Sequence, residues 1–82
     1  MKIYGINGKK NIVGIKVKAL RESRHWSQAA LAAKMQIEGV LVEQKAISRM
    51  ELETRLIADY ELLVLAKVLK VSVIWLLTGQ DG

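Results

Sequence analysis

"EQKAISRME", residues 43–51, has neither glycine nor proline and interleaves polar with apolar side chains. Wound as a helix at about 100° per residue from Gln44, it puts Gln44, Ser48, Lys45 and Arg49 between about 0° and 140°, and Ala46, Met50 and Ile47 between about 200° and 300°. One face is polar and the other is apolar, with Glu51 at the border. Any amphipathic surface helix shares that geometry; the choice of polar side chains narrows it. Glutamine and arginine form paired hydrogen bonds to adenine and guanine edges in the major groove, and lysine is an alternative donor to guanine. Gln44, Lys45 and Arg49 are therefore three expected base readers, and Ser48, lying between them, completes the expected base-reading set.

Upstream lies "WSQAALAAKMQIEG", residues 26–39. Ser27 is a favourable N-cap for a helix to about Glu38, Trp26 can staple onto Leu31, and Gly39 supplies a left-handed stop. "VLVE" bridges to the third helix, about 43–53. A capped helix, a turn and a reader helix make a helix-turn-helix arrangement.

Two further stretches complete the chain. Before this unit, a helix over about 11–24 aligns Val13, Val17 and Leu20 on one stripe. After it, "ADYELLVLAKVLK" reads as a fourth, strongly apolar and central helix, with Asp59 near its start and Lys67 and Lys70 near its end, as the helix dipole favours. "SVIWLLTG" makes a short fifth helix between Ser72 and Gly79. The expected architecture is all-α, five helices over residues 11–79, with a leader at 1–10 and a tail at 80–82.

Composition limits what such a domain can do. Its 82 residues allow one core, without phenylalanine or proline. With no cysteine and a single histidine, His25, disulfides, thiolate metal sites and histidine-rich ones are excluded, and no cofactor is expected. The absence of cysteine fits a cytoplasmic setting. No apolar run approaches the roughly 20 residues of a membrane span, and the first residues lack a signal peptide's apolar region. The net charge is +5, and residues 1–33 hold seven lysines and arginines against Glu22 alone. That asymmetry attracts polyanions, though a lysine-coated soluble surface has the same composition.

Taken in order, "VGIKVKALRE", "WSQAALAAKM", "AISRMELETR", "ELLVLAKVLKVS" and "IWLLTG" resemble the Cro/C1-type (XRE) helix-turn-helix regulators, which include the lambdoid phage repressors. The resemblance runs from about Ile12 to Gly79. It implies a lambda-repressor-like fold that binds double-stranded DNA as a homodimer or higher oligomer on a palindromic operator, most often as a repressor. By the same resemblance, Gln28 binds a DNA phosphate, with Ser27, Arg24 and Lys16 in the phosphate-contacting set. Gln44, Lys45, Ser48 and Arg49 lie at base-edge or neighbouring positions. Arg21 and Glu51 match an internal ion pair, and partial burial of Arg21 also follows from its spacing to Val17 and Leu20.

Several positions depart from the family pattern. The turn around "MQIEGVLV" is about five residues longer than in the compact phage proteins, Glu43 replaces a usual serine or threonine cap, and His25 replaces a frequent glycine. Ala30 lacks the glutamate of a capping box. Ile15, Leu41 and Ile74 are apolar where polar residues are usual, which implies an association surface including Ile15, Ile74 and Trp75. Two other readings remain open: an antitoxin-type protein with a toxin partner, and a self-assembling interaction module without operator binding. No triad, metal cluster or phosphate loop supports an enzyme.

Overall fold

Asn11 starts the first helix. Its side-chain oxygen accepts from the N–H groups of Val13 and Gly14, while its amide donates across the molecule to the carbonyls of Met50 and Arg55. The helix therefore begins at Gly14, three residues later than apolar spacing indicates. In the computed structural model, which describes residues 8–80, five α-helices follow in order: α1 Gly14–Ser23, α2 Gln28–Ile37, α3 Gln44–Glu51, α4 Asp59–Leu69 and α5 Val73–Thr78. Among the described residues the fold is all-α. Residues 1–7 of the expected leader and 81–82 of the expected tail lie outside this description.

The serine caps form as local chemistry dictates. Ser27 Oγ accepts from the Ala30 N–H and Ser72 Oγ from the Trp75 N–H. Ala58 offers no side-chain acceptor, yet its own N–H donates to Glu61, the return half of a capping box. At the C-termini of α1 to α4, His25, Gly39, Glu53 and Lys70 take positive φ. In each case the next residue's N–H reaches back to a carbonyl of the final turn: Trp26 to Arg21, Val40 to Met35, Thr54 to Arg49, and Val71 to Ala66. Only one of those four left-handed positions is a glycine.

Val13, Val17, Leu31, Met35, Ile47, Met50, Leu65, Leu69 and Leu76 fill the core, which draws on every helix. The helix-turn-helix unit packs α3 on α2 and α1, while α4 packs on α1, α2 and α5. Close packing of α1 against the end of α3 depends on Gly14: a Cβ there would sit 2.0 Å from the Met50 carbonyl oxygen. In the long turn, Val40 and Val42 point inward and Leu41 points out, and Gln36 Nε2 donates to the Val42 carbonyl. The fourth helix, expected to be central, packs on α1, α2 and α5 with only part of its surface. Tyr60 and Leu63 remain exposed on it, so one apolar flank has no partner among the described residues.

Candidate nucleic-acid interface

A line of hydrogen bonds runs from the core to the outer face of α3. At its inner end, Arg21 grips Glu51 with two donors, Nε to Oε2 at 2.6 Å and Nη2 to Oε1 at 3.0 Å, and donates a third bond to the Trp26 carbonyl. Both side chains are buried, and the Glu51 hydrogen bonds raise the Arg21 pKa further above its already high value, against the effect of burial. Gln28 Nε2 also donates to Glu51 Oε1, and Gln44 Nε2 donates to Gln28 Oε1 at 2.5 Å. Side chains from three helices, α1, α2 and α3, thereby fix the position of one exposed glutamine.

That arrangement leaves chemistry unspent. Each carboxamide carries two N–H donors and an oxygen with two lone pairs, so Gln44 keeps an acceptor and a donor, the pair an adenine edge requires. Gln28 retains one N–H beside the start of α2. The first turn there also presents backbone N–H groups without intrahelical acceptors, an environment that favours an anion. Gln28 and Gln44 thus bring unspent carboxamide donors and an unspent acceptor together beside the first turn of α2.

Lys45 and Arg49 are exposed on the same polar face of α3, and Ser48 is half-buried between them. Neither cation forms an ion pair among the described residues. Glu43 occupies the N-cap position of α3 without a side-chain cap bond, and Trp26 lies under Lys34, whose Nζ is 4.4 Å from the ring centre.

Two residues of the expected phosphate set lie apart from that cluster. Arg24 donates to the carbonyls of Leu20 and Leu69, tying α1 to the end of α4. Lys16 runs its stem beside Gly79, at the end of α5. Helix periodicity places both on the polar side of α1 but says nothing of what packs there. Neither joins the Gln28–Gln44 cluster.

Ile15 and Ile74 are exposed, at 65% and 47%, while Trp75 is half-buried against the core. Other apolar side chains gather along α4 and α5. Ile12, Ile57, Leu62 and Leu77 line one groove, and Tyr60, Leu62, Leu63 and Val73 line the next. With Leu62 common to both, the grooves make one apolar flank along α4 and α5. Its sequence signal is the surplus of apolar residues on α4, more than one buried stripe can use.

No group of histidine, cysteine and acidic residues that could hold a metal occurs among the described residues, and no helix there is long and apolar enough to cross a membrane. Comparison with known proteins matches residues 17–76 to a helix-turn-helix family model. No curated protein matches. Among solved structures, the chain is similar to the P22 c2 repressor protein in complex with a synthetic operator, at 30% identity and a TM-score of 0.73, covering 85% of this chain and 98% of that one.

Proposed function

The chain belongs to the Cro/C1-type helix-turn-helix family, and we propose that it is a repressor-like transcriptional regulator that binds double-stranded DNA by sequence. The observation that carries this reading is the hydrogen-bonded series Arg21–Glu51–Gln28–Gln44, ending in an exposed carboxamide with a donor and an acceptor to spare. In the proposed complex α3 enters the major groove. Gln44 pairs with an adenine, Lys45 and Arg49 donate to guanine edges or adjacent phosphates, and Ser48 contacts the base between them. Gln28 and the first turn of α2, capped by Ser27, hold a phosphate and set the depth of α3.

The apolar flank of α4 and α5 supports a homodimer. Two copies joined there, with Ile74 and Leu77 in the contact, bury surface that would otherwise face water. Two-fold symmetry then sets two reader helices roughly 34 Å apart, on half-sites of a palindrome. Titration of labelled duplexes at physiological salt tests the reading of function. It predicts one sequence bound at least about 10³-fold more tightly than unrelated DNA; equal binding to all duplexes would contradict it.

A further inference from the structure

Residues 9–11 run along the far end of α3 and are tied to it by several bonds. The Lys10 N–H donates to the Glu53 carbonyl at 2.9 Å, Lys9 Nζ pairs with the Glu53 carboxylate at 2.8 Å, and Asn11 holds the Met50 and Arg55 carbonyls. The stretch just before α1 is thus built onto the end of the reader helix and the loop that follows it. Between them lies a cleft of about 390 Å³ lined by Lys10, Arg49, Thr54, Arg55 and Leu56.

The charges in that cleft divide into two groups. Arg55 is neutralised by two bonds to Glu61, and Lys9 by Glu53. Lys10 and Arg49 are exposed and form no ion pair among the described residues. Arg49 belongs to the polar face of α3, so the cleft opens beside the base-reading set, at the opposite end of the helix from Gln28. We propose that this cleft is a second DNA-backbone site, in which Lys10, held by its own backbone N–H, and Arg49 grip a phosphodiester beyond the C-terminal end of α3. The inference rests on the DNA-binding reading above and adds the segment before α1 to the DNA-contacting surface. With Gln28 at one end and Lys10 at the other, α3 would be clamped at both ends, which fixes its register in the groove.

The test is the salt dependence of binding to a selected operator duplex, measured for the unaltered protein, Lys10→Ala and Lys10→Arg. The Lys10 side chain makes no hydrogen bond or ion pair among the described residues, so folding should survive; thermal unfolding checks this. If one phosphate contact is lost, Lys10→Ala lowers the slope of log K against log salt by about 0.9, with the preferred sequence unchanged, and Lys10→Arg keeps the slope. Phosphate ethylation should also reveal one backbone position that blocks the unaltered protein but not Lys10→Ala. An unchanged slope and an unchanged ethylation pattern in Lys10→Ala, with operator binding intact, would overturn the clamp alone. Absence of any sequence-selective binding by the unaltered protein would overturn the clamp together with the functional reading beneath it.

Discussion

Glu51 does two things at once: it neutralises a buried guanidinium and accepts from Gln28. Removing it strands Arg21 in the core, so Glu51→Ala should cost about 3–5 kcal/mol in chemical unfolding. Replacing both partners, as in Arg21→Met with Glu51→Met, should recover most of that loss. The double variant should nonetheless bind operator poorly, because Gln28 has lost its anchor; full affinity in a stable double variant would contradict this role. Glu61 carries a pH signature. The Arg55 hydrogen bonds hold its carboxyl below the usual carboxylate range; burial opposes them, and the Ala58 N–H adds to the depression. A group depressed in the folded state stabilises above its unfolded pKa, about 4.3, and loses that contribution as pH falls through the folded value. The stability gap between the unaltered protein and Glu61→Gln should therefore narrow below about pH 4.3, as followed by urea unfolding; a gap independent of pH would refute this.

At the level of elements, the left-handed helix ends carry the local cost. His25 at φ 58° and Lys70 at φ 59° hold a conformation that side chains with a Cβ disfavour. His25→Gly should raise stability by up to about 1 kcal/mol, less the entropy that glycine loses on folding, and calorimetry would show a higher Tm. Gly14 has the opposite sensitivity. A methyl group there meets the Met50 carbonyl, Glu53 and Asn11, so Gly14→Ala should destabilise by about 1–3 kcal/mol and loosen α1 from the end of the reader helix. Serine caps, glycine stops and the polar face of α3 were legible in the sequence because each is encoded within a few neighbouring residues. The later start of α1 was not. Asn11 spends its oxygen on local N–H groups only because its amide can reach Met50 and Arg55, dozens of residues away. For the same reason the neighbours of Arg24 and Lys16 could not be read from the sequence: the Leu69 carbonyl and Gly79 come beside them only in the folded chain.

For the molecule as a whole, charge and apolarity are used on different surfaces. The α2–α3 side holds Gln28, Gln44, Lys45 and Arg49, whereas the flank of α4 and α5 exposes Tyr60, Leu63, Ile74 and Leu77. The sequence pointed to Ile15 and Ile74 but not to Leu63, since a uniformly apolar helix reads as buried until its neighbours are known. If that flank joins two copies, Leu63→Asp with Ile74→Asp should shift sedimentation toward monomer and weaken operator binding, with the folded monomer preserved; unchanged association would place the contact elsewhere. The most direct test of sequence reading by α3 is selection from a random duplex pool at physiological salt, run in parallel with Gln44→Ala/Lys45→Ala/Arg49→Ala. Enrichment of a palindromic motif by the unaltered protein, lost in a triple variant that remains folded, is the predicted result; the same motif from both proteins, or none from either, would contradict it.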